Sequence, residues 1–98
     1  MIFTIQSQLK GNVYNLMRNI GYYFQGKDEK SSELSFVRPP RSYPRFHIYL
    51  RQENDNLTFN LHLDQKKPIY EGTTAHSGEY EGELVEKEAE RIKQILEK

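Results

Sequence analysis

Three histidines, His47, His62 and His76, and the carboxylate of Asp64 have the widest chemical range in this chain. Neutral imidazoles beside a carboxylate are the donor set of a zinc-type site, and a metal held that way can activate water for hydrolysis. Whether these groups can meet depends on the strands that carry them. His47 lies in Phe46-His47-Ile48-Tyr49-Leu50, and His62 and Asp64 lie in Leu57-Thr58-Phe59-Asn60-Leu61-His62-Leu63-Asp64. Both runs alternate strictly, as half-buried strands do, and Glu53-Asn54-Asp55-Asn56 between them reads as a hairpin turn. A turn centred on Asn54-Asp55 pairs Phe46 with Leu63, Ile48 with Leu61 and Leu50 with Phe59 on one face. The other face then pairs Arg45 with Asp64, His47 with His62, Tyr49 with Asn60, and Arg51 with Thr58. His47, His62 and Asp64 thus share a polar face, and His76, in the loop that begins after Asp64, could reach them. A histidine on a solvent-facing strand is also an ordinary polar β residue, so the metal-dependent hydrolase reading stands beside a bland one.

A second texture overlaps the first. Arg38, Arg41, Arg45 and Arg51 are interleaved with Tyr43, Phe46 and Tyr49, combining phosphate-pairing guanidiniums with rings on which bases could stack. Against a nucleic-acid-binding reading, Phe46 points inward in the hairpin register, and the Gly-and-aromatic signature of RNA-recognition sheets is missing. A third feature is the many glutamates of the last segment outside its apolar stripe, which could dock a basic partner but read more simply as a solvated helix face. No phosphate-binding Gly-rich loop, nucleophile elbow or Glu-flanked pair of helical histidines is present, and without cysteine a thiolate zinc site is excluded. No cofactor is expected. Asn56-Leu57-Thr58 matches a glycosylation acceptor but sits at the hairpin turn of a chain with no visible export signal.

The remaining elements follow from periodicity. Phe3, Ile5 and Ser7 alternate, which predicts a first strand within residues 1–9. Asn12 is a fair N-cap for a short helix whose stripe is Val13, Leu16, Met17 and Ile20, and Gly21 stands where a left-handed C′ residue would stop it. Tyr22 to Gln25 read as strand, residues 26–32 as a polar turn, and Leu34 to Val37 as strand again. Pro39, Pro40 and Pro44 bracket a surface crossover over Arg41-Ser42-Tyr43. Residues 66–82, with Tyr70, His76 and Tyr80 among glycines, have no sustained period, so they are either a functional loop or conceal a short element. From Glu83 the pattern is helical, with Val85, Ala89, Ile92 and Leu96 as the stripe, Ile95 beside it, and Glu83 four residues before Lys87.

These elements predict an α+β two-layer sandwich in one domain, 1–98, with two helices on one face of an antiparallel sheet and the order β-α-β-β-β-β-α. The 98 residues suit one core. Fourteen basic and fourteen acidic residues cancel, so no global field draws the chain to nucleic acid or an anionic membrane. No segment approaches the ~20 apolar residues of a membrane span. The absence of cysteine suits a reducing, cytoplasmic setting.

The stretches Tyr43-Pro44-Arg45-Phe46-His47-Ile48-Tyr49-Leu50, Asn60-Leu61-His62-Leu63-Asp64-Gln65-Lys66-Lys67-Pro68, Tyr70-Glu71-Gly72 and Ala75-His76-Ser77-Gly78-Glu79-Tyr80 resemble a group of small bacterial proteins. The resemblance covers roughly the latter two thirds of the chain. It implies a small bacterial cytoplasmic protein and carries over no catalytic residue. With the apolar hairpin face claimed by the helices, the polar face and the 66–82 loop are expected to meet a protein or nucleic-acid partner. Arg45, His47, Tyr49, Arg51, Asn60, His62, Asp64 and His76 are the candidate binding residues of this non-enzymatic module.

Overall fold

The computed structural model describes residues 1–6, 12–65, 78–79 and 82–97. Its elements are β1 (Ile2–Gln6), α1 (Val13–Asn19), β2 (Tyr23–Lys27), β3 (Leu34–Arg38), β4 (Arg45–Glu53), β5 (Asn56–Asp64), β6 (Gly78–Glu79) and α2 (Glu83–Leu96). The expected order is kept, with β6 added inside the segment that showed no period. All strand pairs are antiparallel, in the order β1-β5-β4-β3-β2, and β6 also pairs with β5. Because β4 pairs with β5 over Asn56 to Asp64, β1 and β6 must share the opposite edge of β5. There β1 covers Asn56 to Asn60, and β6 covers Leu63 and Asp64.

The hairpin register is the one the alternation requires, from Arg45 opposite Asp64 to Glu53 opposite Asn56. Asn54 turns the chain at φ 55, in the left-handed region that asparagine tolerates. On the inward face Ile48, Leu50, Leu57, Phe59, Leu61 and Leu63 are all buried, with Phe3 and Ile5 of β1 and Phe36 of β3 beside them. Val13 and Met17 of α1, with Ile20 just after it, cover this face from one helix, and Val85, Ala89 and Ile92 cover it from α2. Leu16, Phe46 and Leu96 pack at the margin of the same cluster, whereas Ile95 is exposed. This is an α+β two-layer arrangement, and no helix is long and apolar enough to cross a membrane.

Local chemistry explains the helix limits. The Asn12 side chain accepts the Asn15 amide at 3.0 Å, which satisfies one orphan donor at the start of α1. Gly21 follows the end of α1 at φ +96, and the Tyr22 amide closes back on the Met17 carbonyl at 2.9 Å. β2 runs two residues further than expected, to Lys27, because a bulge between Phe24 and Gly26 lets it keep pairing with β3. The turn itself is then drawn around Asp28, whose carboxylate accepts the Lys30 amide and the Ser31 hydroxyl, each at 3.0 Å.

Candidate functional site

The outward face of β4 and β5 brings His47, His62 and Asp64 together. Across the strand pair His47 opposes His62 and Arg45 opposes Asp64, so the carboxylate at the end of β5 lies diagonal to His47 and two residues beyond His62. Asp64 Oδ2 lies 3.1 Å from His47 Nδ1 and 3.4 Å from Arg45 Nε, and Oδ1 lies 2.9 Å from His62 Nε2. The potential ligand atoms of the two histidines and Asp64 all fall within 4.8 Å of one another. The backbone of Asp64 is held from both sides, by Arg45 on β4 and Gly78 on β6.

Three rings pack together beside the carboxylate. The His47 centroid is 4.5 Å from that of Tyr49 and 4.7 Å from that of His62, and Tyr49 lies 5.7 Å from His62 at 20°. The sequence leaves this face open to solvent, but His47 and His62 are only 8% and 5% exposed. Their neighbours on the face are bulky. Val37, which is 2% exposed, sits opposite His47 on β3, and Tyr49 lies against both rings. Burial therefore pushes the His47 ring below its ordinary value, aided by His62 and Arg45 and opposed by Asp64. Burial does the same to His62, where the Met1 amino group and Arg45 assist and Asp64 again opposes. Both imidazoles are neutral near pH 7, the state in which a ring nitrogen can ligate a metal.

Two groups absent from the sequence expectation join the cluster. Ser35 Oγ lies 2.6 Å from His47 Nε2 and donates to Gln25 Oε1 at 3.3 Å. Ser35 is on β3 opposite Tyr49. Matching the apolar Leu34 and Phe36 against Leu50 and Ile48 would have placed it beside His47, but that strand pair was not aligned from the sequence.

The remaining candidates are distributed unevenly. Tyr49 and Asn60 are half-buried on the same face, and Asn60 Oδ1 is buried without a hydrogen-bond donor among the described residues. Arg51 is exposed further along the face, 3.8 Å from both Glu33 and Glu53. The Arg45 guanidinium stands 4.6 Å over the Tyr43 ring while its Nε faces Asp64. Arg38 is not brought to this group: it lies in register with the inward Phe46 and pairs with Glu88 at 3.1 Å. Arg41 is exposed in the crossover. His76, Tyr70 and Tyr80 lie outside the described residues. Three of the four arginines of the nucleic-acid reading thus have carboxylates beside them, and one is on the wrong face.

A second polar cluster lies under α2 and also went unread. Glu88, 4% exposed, accepts from the Tyr22 hydroxyl at 2.6 Å, Arg91 Nε at 2.8 Å and Arg38 Nη1 at 3.1 Å. Arg91 Nη2 reaches on to the Ile20 carbonyl at 2.8 Å. Burial raises the Glu88 carboxyl, but the hydrogen bonds from Arg91 and Tyr22 and the two arginine charges outweigh it and hold the group below its ordinary range. Burial and the adjacent Glu88 push the Tyr22 hydroxyl far up, so it stays a donor. Glu88 falls three residues after Val85 and four before Ile92, on the stripe itself, which is the signal that marks it as buried. The network ties α2 to the end of α1 and to β3, and its groups are satisfied by one another.

Comparison of the chain with protein-family models, with curated proteins and with solved structures returns no match.

Proposed function

We propose that the chain is a non-enzymatic binding module that presents the polar face of its sheet to a protein partner. One observation carries this reading: exposed apolar side chains flank a polar centre that is already held in one arrangement. Ile2, 70% exposed, lies opposite Asn60, and Tyr23, 48% exposed, lies opposite Val37, so both belong to the outward face. Between them Asp64 gathers His47, His62 and Arg45. Singly exposed apolar residues are ordinary on a protein surface, so it is their place beside a restrained polar centre that favours recognition here. Restraint lowers the ordering cost of association, and the donors, acceptors and rings supply specificity. A protein suits the face better than a nucleic acid, because the arginines that would meet phosphate already lie beside carboxylates.

Immobilised wild-type protein and a Tyr49→Ala, Arg51→Ala variant of matched circular dichroism should differ in the proteins they retain, and short RNA and DNA should be retained by neither. Equal retention by both proteins overturns the assignment to this face. Binding of RNA or DNA that the variant loses transfers it to the nucleic-acid reading.

A further inference from the structure

His47, His62 and Asp64 converge from two neighbouring strands, and their potential ligand atoms lie within 4.8 Å of one another. Asp64 Oδ2 lies 3.1 Å from His47 Nδ1 and Oδ1 lies 2.9 Å from His62 Nε2, so both rings turn a nitrogen toward one carboxylate. Both histidines are nearly buried, which favours the neutral rings that ligate a metal. On the far side of the His47 ring, Nε2 lies 2.6 Å from Ser35 Oγ, which in turn lies 3.3 Å from Gln25 Oε1.

We infer that His47 Nδ1, His62 Nε2 and the Asp64 carboxylate form a site for a divalent first-row metal ion of the zinc type, with Ser35 and Gln25 as positioning residues. This deepens the reading of the face as a binding surface and rests on it. Two imidazole nitrogens and one carboxylate oxygen suit zinc, cobalt or nickel, whereas calcium and magnesium require oxygen shells. Metal–ligand bonds of about 2.0–2.2 Å at tetrahedral angles set ligands roughly 3.4 Å apart. The present 2.9 and 3.1 Å contacts, made by different oxygens of Asp64, need a small opening, and the ligand set, which spans up to 4.8 Å, must close on the ion. With Nδ1 on the metal, the His47 Nε2 proton would face Ser35 Oγ, 2.6 Å away, the outer contact that orients a ligating imidazole. Three protein ligands leave a position for water or for a donor group of the partner. Arg45 competes for Oδ2, and its guanidinium can remain over Tyr43 when the metal takes that oxygen.

Titration of the full chain with zinc chloride, followed by the ring resonances of His47 and His62 and by calorimetry, tests the site. One equivalent should shift both rings together, EDTA should reverse the shift, and cobalt should give the visible absorption of a low-symmetry site. Magnesium and calcium should do nothing. Asp64→Asn should abolish the response, Ser35→Ala should weaken affinity about 10- to 100-fold, and Arg45→Gln should tighten it. A purely structural cluster would give none of this ordering, and thermal melting of each variant separates ligand loss from unfolding. Absence of a saturable response to zinc and cobalt, or an unchanged response in Asp64→Asn, overturns the metal site. The partner capture distinguishes the two readings: a chain that gives no metal response yet still retains the partner through this face loses the metal site alone, and one that binds zinc but retains no partner loses the docking reading alone.

Discussion

At the scale of single residues, the buried histidines and the buried Glu88 both lose their contribution to stability in acid, over different ranges of pH. Burial holds His47 and His62 below their ordinary value, so the unfolded chain takes up protons before the folded one does. Their contribution is therefore complete above the unfolded histidine pKa of about 6.5 and declines as pH falls below it. The urea midpoint should drop between pH 7.5 and 5.5, and His62→Gln should flatten that drop; parallel curves would acquit His62. Glu88 acts lower, because a carboxyl held down by Arg91, Tyr22 and Arg38 stabilises the fold above its unfolded value near 4.5 and loses this as pH falls through the depressed one. Glu88→Ala should cost about 2–3 kcal/mol at pH 7, chiefly because it strands the buried Tyr22 hydroxyl. Tyr22→Phe leaves the carboxylate with both arginines and should cost less, a ranking that denaturation of the two variants checks.

At the scale of elements, the backbone positions most exposed to failure are the limits of α1. Gly21 combines φ +96 with an approach of 3.1 Å between an added Cβ and Arg38 Nε, so Gly21→Ala is strained by backbone and neighbour alike. It should cost about 1–2 kcal/mol, and Asn12→Ala about 1 kcal/mol through the lost cap, both read from chemical denaturation. These limits were legible because capping chemistry is local: a side chain or a missing Cβ within a few residues decides it. The β4–β5 register was legible for a related reason, since a slip of one residue would have turned Ile48 and Leu61 outward. What escaped reading depends on partners distant in sequence. Gly26 looked like turn material, but the bulge keeps it in β2. Ser35 meets His47 only once β3 is registered on β4, and β6 is two residues long, too short for any period to show.

At the scale of the whole molecule, the sheet divides stability from recognition, because alternate residues of the same strands serve different faces. Leu61 is fully buried among the helices, while its neighbours Asn60 and His62 belong to the outward face. Leu61→Ala leaves a cavity in that core and should cost about 2–5 kcal/mol. Arg51 is exposed and its two carboxylate contacts are long, so Arg51→Ala should change stability by no more than about 0.5 kcal/mol. The proposed partner should respond in the reverse order. Below its melting transition Leu61→Ala should retain the partner at nearly wild-type strength, since the cavity opens toward α1 and α2 and leaves the cross-strand pairs of the other face in register. Arg51→Ala should weaken retention while melting with the wild type. The two effects should add in the double variant, because side chains on opposite faces of one sheet share no contact. Measured melting temperatures and binding curves for the four proteins check this separation, and a coupled double variant would mean that the helices, and not the strands alone, hold the outward face in shape.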